Sequence, residues 1–338
     1  MKIFILKPSS LGDVIQALPV LRLIKLHRPE SQVYWWLEKS LVPLLDKDPD
    51  LAGIIPFDRQ RWRNPLHAGE LFRSIMDLRA HQFDWVIDLQ SLLRSGVFAW
   101  LANGALTVGL DDAREGARGF YDIAVRRNSW HTHAADWYQA VLPRLGVPVH
   151  DQFTWLPPRP QAEAELRNKW QPAPGRWVIL SPGARWNNKR WPVEYFERLV
   201  QLLHLKDPNL NFAIVGGNDD APLGARITRV APQACLDLTG QTSLAEMVEW
   251  IRLGNLVITN DTGPMHVAAG LRKPVIALFG PTEPCRTGPY GQLHNVLRTS
   301  LSCVPCMKGD CYRAEPLECL RRILPETVVE KALAALRG

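Results

Sequence analysis

Two short stretches hold the residue types that a group transfer from a phosphorylated donor needs. Asn260-Asp261-Thr262-Gly263-Pro264-Met265-His266 lies between an apolar strand-like run and a small-residue helix. A turn of that kind aims backbone N–H groups and the positive end of a helix at an anion, which predicts a phosphate-binding site. Pro8-Ser9-Ser10-Leu11-Gly12-Asp13 follows the N-terminal strand-like run and ends on a carboxylate. Asp13 there either caps a helix or takes a proton from an acceptor hydroxyl as a new bond forms. Lys7 and Ser10 flank it and can orient an acceptor or a phosphate. Together the stretches predict a diphosphate held by one half of the chain and a base offered by the other.

Further candidates fall in turns after apolar runs. Pro182-Gly183-Ala184-Arg185-Trp186-Asn187-Asn188-Lys189-Arg190-Trp191-Pro192 is a glycine-led loop rich in cations. It is either a basic surface loop or a device that neutralises a diphosphate leaving group without a metal, with Arg185 and Lys189 as its phosphate contacts. Asp219 and Asp220 follow Gly216-Gly217, where an acid accepts hydrogen bonds from ribose hydroxyls or simply makes an exposed turn. Thr282, in Gly280-Pro281-Thr282-Glu283-Pro284, is a phosphate or sugar ligand or part of a tight turn. Arg59, Arg61 and Arg63 crowd Trp62 and suit an acceptor bearing carboxylate or phosphate; the plain alternative is a solvated face.

These turns need elements to carry them. Strand-like runs at 3–6, 33–37 and 85–89, with helical spacing over 14–26 and 69–78, give the first half an alternating β and α rhythm; Pro19 reads as a kink or a late helix start. A second series has strands at 177–180, 212–215, 256–259 and 275–279 and a closing helix at 326–336. The class is α/β, with mainly parallel sheets whose ligand crevices lie beyond the carboxyl ends of the strands. With 338 residues, 46% of them apolar, the chain suits two domains, divided in Leu156-Pro157-Pro158-Arg159-Pro160 into 1–157 and 158–338.

The net charge of +6 fits a solvated basic surface or a phosphate-bearing partner. The basic residues are dispersed, which argues against a nucleic-acid partner. No run of about 18 apolar residues would span a bilayer. Six cysteines without an export signal point to a reducing compartment and a cytoplasmic protein. Cys303, Cys306, Cys311 and Cys319 have the spacing C-x2-C-x4-C-x7-C, which makes either a tetrahedral structural zinc or iron site or a set of free thiols. Cys235 and Cys285 read as packing residues.

Lys7-Pro8-Ser9-Ser10-Leu11-Gly12-Asp13, Asp88-Leu89-Gln90-Ser91-Leu92-Leu93-Arg94-Ser95, Lys189-Arg190-Trp191-Pro192, the 260–266 turn and Phe279-Gly280-Pro281-Thr282 occur in that order. In this the chain resembles the bacterial ADP-heptose:lipopolysaccharide heptosyltransferases of glycosyltransferase family 9, from about residue 1 to 320. The resemblance implies a GT-B architecture, two Rossmann-like domains facing across a cleft with the last helix able to pack back on the first. It implies a metal-independent, inverting transfer from ADP-heptose to the inner core of lipopolysaccharide, Kdo-lipid A or heptosyl-Kdo, with no cofactor for catalysis and peripheral contact with the inner face of the cytoplasmic membrane.

Carried over by motif, Asp13 is the general base, Lys189 a donor-phosphate contact and Asp261 a contact to heptose hydroxyls. Thr262 and Gly263 become backbone phosphate binders, with His266 in the same helix start. Arg61-Trp62-Arg63 and the 109–115 stretch are more similar to the first heptosyltransferase, whose acceptor Arg59, Arg63 and Arg114 would grip through carboxylate and phosphates. The cysteine segment is more similar to second-heptosyltransferase and autotransporter-heptosyltransferase relatives, and Ala184-Arg185 stands in place of a hydroxyl-rich donor loop of the first enzyme. The rival readings are a relative with another donor or acceptor, a GT-B nucleotide-sugar epimerase, and a nucleotide-sugar-binding protein without catalysis.

Overall fold

The computed structural model describes residues 1–58, 68–112 and 115–337. The chain divides into two compact units, Met1–Pro157 and Pro158–Gly338. The first contains β1 (Lys2–Leu6), α1 (Leu11–His27), β2 (Gln32–Glu38), α2 (Val42–Leu45), β3 (Gly53–Phe57), α3 (Ala68–Ala80), β4 (Trp85–Asp88), α4 (Leu93–Leu101), β5 (Leu106–Asp111), β6 (Ile123–Arg126) and α5 (Ala134–Gln139). The second contains α6 (Pro160–Trp170), β7 (Arg176–Ser181), α7 (Val193–Lys206), β8 (Leu210–Ile214), α8 (Ala221–Thr228), β9 (Cys235–Asp237), α9 (Leu244–Leu253), β10 (Leu256–Asn260), α10 (Gly263–Gly270), β11 (Val275–Phe279), α11 (Pro284–Thr287), β12 (Val296–Arg298), α12 (Glu318–Arg321) and α13 (Pro325–Arg337).

Each unit is built on one six-stranded sheet, ordered β3-β2-β1-β4-β5-β6 in the first and β12-β11-β10-β7-β8-β9 in the second. Every adjacent pair is parallel. Counted within its unit, each sheet has the doubly wound order of a Rossmann fold, and the order reverses between β1 and β4 and between β7 and β10. Such reversal points leave a crevice at the carboxyl ends of the strands. The turns with chemistry therefore stand where the topology makes room for ligand.

The central strands are recognisable as apolar runs because helices cover both faces of the sheet. The shorter edge strands are not. β3 carries Pro56, while β9 and β12 are three residues each and only half-buried, so hydrophobic runs reveal seven of the strands and tertiary pairing supplies the rest. Pro19 does not delay α1, which begins at Leu11 and continues through it to His27. The helix is buried almost all round, including Val14, Ile15, Leu18, Leu21, Leu23 and Ile24. At about 1.5–3 kcal/mol for each large side chain, that burial outweighs the ~3 kcal/mol cost of an interior proline. Pro160, read with the linker, instead opens α6 at its first turn, where its missing N–H costs no hydrogen bond.

The core of the first unit includes Phe4, Leu6, Trp36, Phe57, Phe83, Val86 and Phe98 between sheet and helices. That of the second joins β7, β8, β10 and β11 to α7 and α13 through Val178, Phe196, Leu199, Phe212, Ile258 and Val328. The closing helix α13 thus packs on α7 of its own unit.

Candidate active site

In the first unit, Asp13 is the third residue of α1, whose N-cap is Ser10. Its Oδ2 accepts the Ser10 N–H at 3.0 Å and the Ser10 hydroxyl at 2.6 Å. The capping reading of this acid holds, and the first turn of α1 that carries it follows β1, beside the order reversal. Its other oxygen, Oδ1, accepts the Tyr138 hydroxyl at 3.1 Å. Lys7 is buried, donates to the Leu89 carbonyl at 3.0 Å, and sets its ammonium 4.6 Å from the centre of the Tyr138 ring. It lies behind the tyrosine rather than out on the surface.

The neighbouring turn after β4 is organised by Asp88, which is 0% exposed. It accepts the Tyr121 hydroxyl at 2.7 Å and the N–H groups of Gln90 and Ser91 at 2.8 and 3.2 Å. Burial raises the Asp88 carboxyl above the usual range, and these donors hold it back. Its role is to shape the turn that receives Lys7.

In the second unit, Asp261 ends the β10 turn with Oδ2 2.6 Å from Lys189 Nζ and 2.6 Å from Thr282 Oγ1. The side chains of three separate turns, after β7, β10 and β11, meet there. The Lys189 ammonium also lies 4.8 Å from the centre of the Trp186 ring, which limits where the cation can go. Asn260 ties two of the turns together: Oδ1 accepts the Trp191 N–H at 3.0 Å and Nδ2 donates to the Pro182 carbonyl at 2.7 Å. Thr262 is the N-cap of α10 and Gly263 its first residue, with His266 buried one turn on. Pro264 in that first turn has no N–H, so the amides at the helix start come from its neighbours.

Asp220 accepts the Gly217 N–H at 3.0 Å and stands 4.0 Å from Arg190 Nη2. A Cβ on Gly183 would lie 2.3 Å from the Asp220 carboxylate, so only glycine lets the β7 turn pass the acid. Arg190 donates to the Ala184 carbonyl at 2.9 Å and braces the loop, while Arg185 is exposed. This arrangement offers cations, hydroxyl and helix-start amides to an anion at the carboxyl ends of β7, β10 and β11. Arg59, Arg61, Arg63 and Arg114 lie outside the described residues.

The four closely spaced cysteines are free and half-buried. All of them line one cavity of about 140 Å³ that Asn188 and Pro281 share. Asn188 Nδ2 donates to the Lys308 carbonyl at 2.8 Å, and the Met307 N–H to the Pro281 carbonyl at 2.8 Å, so this loop backs the Lys189 and Thr282 turns. Burial pushes the Cys319 thiol up to about 11, and that of Cys235 to about 12. As placed, no group of three or more His, Cys, Asp or Glu among the described residues is set to hold a metal ion.

Two residues of these sites escape sequence reasoning. Tyr138 sits 125 positions from the acid it contacts and carries no motif. Asn260 is visible in the 260–266 turn, but its bridging role depends on where Pro182 and Trp191 come to lie.

Residues 71–315 match the model of glycosyltransferase family 9 (heptosyltransferase). The lipopolysaccharide heptosyltransferase 1 of Pseudomonas aeruginosa is 28% identical over 99% of this chain and 98% of its own length. Among solved structures, the E. coli ADP-heptose lps heptosyltransferase II is similar with a TM-score of 0.80 at 23% identity, covering 99% of this chain and 98% of that one. The E. coli heptosyltransferase WaaC with ADP gives a TM-score of 0.77 at 24% identity, covering 99% and 100%. These likenesses show a shared GT-B fold, and the matched model extends over most of the length: the chain belongs to glycosyltransferase family 9, the heptosyltransferases.

Proposed function

We propose that the protein moves a heptose from ADP-heptose to the inner core of lipopolysaccharide, on Kdo-lipid A or heptosyl-Kdo, by a single inverting displacement. Family membership supports the reaction class, and the Lys189–Asp261–Thr282 cluster at the start of α10 carries the assignment of the donor side. An acceptor hydroxyl attacks the anomeric carbon and gives its proton to Asp13, while the bond from that carbon to the diphosphate oxygen breaks. Arg185, Lys189 and the amides about Thr262 and Gly263 take up the charge that develops on ADP. These fixed cations supply what a metal would otherwise supply. Asp261 and Thr282 bind donor hydroxyls or phosphate, Asp220 faces the ribose side, and His266 supports the helix start. Lys7, Ser10, Arg59, Arg61, Arg63 and Arg114 serve the acceptor.

Asp13→Ala is expected to abolish transfer while ADP binding persists, as read by mass spectrometry of products and by calorimetry. Transfer by that variant would overturn the base assignment. Incubation with ADP-heptose alone separates the epimerase rival, which would change the sugar without an acceptor.

No helix among the described residues is long and apolar enough to cross a membrane. The acceptor proposed here is a lipid head group, so the working location is the inner face of the cytoplasmic membrane, reached through basic residues worth about 1 kcal/mol each near an anionic surface. Sedimentation with anionic vesicles, reversed by high salt, is the expected behaviour.

A second reading concerns the cysteines. Four thiols on one cavity match zinc or iron in kind and number, and Cys303, Cys306, Cys311 and Cys319 would hold such an ion in a structural role. Metal analysis of protein purified under reducing conditions should find about one ion per chain, lost in a Cys303→Ser, Cys306→Ser double variant. Metal-free protein with full activity would overturn it.

A further inference from the structure

Tyr138 is held where a residue would be needed to aim Asp13. It lies on α5, which packs against α1. The helix is seated by buried Ala134, Ala135 and Trp137, and the Nδ1 of buried His133 accepts the Ala135 N–H at 3.1 Å to cap its start. From that base the Tyr138 hydroxyl reaches Asp13 Oδ1 at 3.1 Å. The side chain is 5% exposed. Burying a hydroxyl is costly without a partner, and phenylalanine would fill the same space without one.

A helix cap does not explain this contact. The capping role of Asp13 is complete in its Oδ2, which takes both donors of Ser10. The hold on Oδ1 comes from a helix far along the chain and adds nothing to the start of α1. Its effect falls on the orientation of the carboxylate. We propose that Tyr138 is a positioning residue for the transfer reaction, its hydroxyl fixing Asp13 in the orientation in which it takes the proton of the acceptor.

This inference rests on the reading of Asp13 as the base. Among the described residues, the charged groups about Tyr138 are Lys7 after β1, Asp13 on α1, Asp112 after β5 and Arg127 after β6. Burial first, and then the charge of Asp13, keep the phenol well above its ordinary range, so it remains a donor wherever the carboxylate is ionised. Lys7, over the ring and donating to the Leu89 carbonyl, contacts the tyrosine through its ring and not through its hydroxyl, which donates to Asp13.

Tyr138→Phe is expected to lower kcat roughly 10- to 100-fold, the worth of a hydrogen bond to a charged group, with KM for ADP-heptose within about twofold. The acid limb of its kcat/KM profile should move up by about one pH unit, because the ionised carboxylate loses a donor. Replacement of Tyr138 by 3-fluorotyrosine keeps ring and hydroxyl, strengthens the donor, and should move the limb down. A merely structural tyrosine would shift the melting temperature and leave both limbs in place. Asp13→Ala measured in parallel separates the failures. If that variant still transfers heptose, the base reading falls and this inference with it. If it is inactive while Tyr138→Phe and the fluorotyrosine protein keep the parental kcat and pH profile, the inference alone is overturned.

Discussion

Lys189 and Thr282 converge on the same oxygen of Asp261, each at 2.6 Å, although the lysine is 72 residues and the threonine 21 residues away in the chain. An ammonium already paired with a carboxylate is pre-oriented but partly neutralised, and an incoming diphosphate competes for it. Under the proposed donor-site reading, Asp261 would set the strength of the cation offered to the diphosphate.

Lys189→Met is accordingly expected to weaken ADP binding about 10- to 100-fold at low salt. The deficit should shrink as ionic strength rises, because part of the attraction is screened in both proteins. Isothermal titration at two salt concentrations checks this. Unchanged affinity at both would remove Lys189 from the donor site.

Gly183→Ala tests the close approach of the β7 turn to Asp220. The added Cβ would stand 2.3 Å from the carboxylate, so turn or acid must move. A stability loss of about 1–3 kcal/mol is expected, as for overpacking elsewhere. Gly217→Ala is the control, since nothing lies within 4 Å of its Cβ position. Comparable denaturant midpoints for the two variants would show that the acid yields freely.

Glu246 gives a pH dependence with a definite sign. Burial tends to raise its carboxyl, but the Lys169 ammonium at 2.8 Å and the Ser243 N–H at 2.7 Å outweigh it, and the folded value lies below the ordinary one. A carboxyl lowered by folding stabilises above the unfolded value, near 4.3, and its contribution disappears as pH falls through the folded value. Glu246→Gln should cost about 0.5–1 kcal/mol at pH 7 and nothing at pH 3, measured by urea unfolding. A constant difference across that range would contradict the assignment.

Arg22 is the buried tie of the first unit. It donates to both oxygens of Asp48 at 2.6 Å, to Asp50 at 2.7 Å and to the Trp155 carbonyl at 3.0 Å, with Asp48 wholly buried at its side chain. Arg22→Met should destabilise by about 3–5 kcal/mol because it strands Asp48. Adding Asp48→Leu should recover much of that loss, since the penalty is an unpaired buried charge more than a missing contact. Chemical denaturation of both variants measures it.

The sequence alone determined the parts whose physics is local. Runs such as 3–6, 177–180 and 256–259 read as strands because residues covered on both faces of a sheet must be apolar in succession. The turns after them read as anion sites because glycine, proline and a helix start imply free amides whatever the rest of the chain does. Asp13, Lys189, Asp261 and Thr282 were visible as chemistry on those turns. Only the tertiary structure decided which of them meet. Strand order brings the ends of β7, β10 and β11 together, and so puts Lys189, Asp261 and Thr282 on one oxygen. Packing of α5 on α1 brings Tyr138 to Asp13. It also let α1 pass through Pro19, because burial on all sides outweighed a local preference. Pairings of this kind are set by which apolar faces fit one another over the whole unit, a property that no window of residues contains.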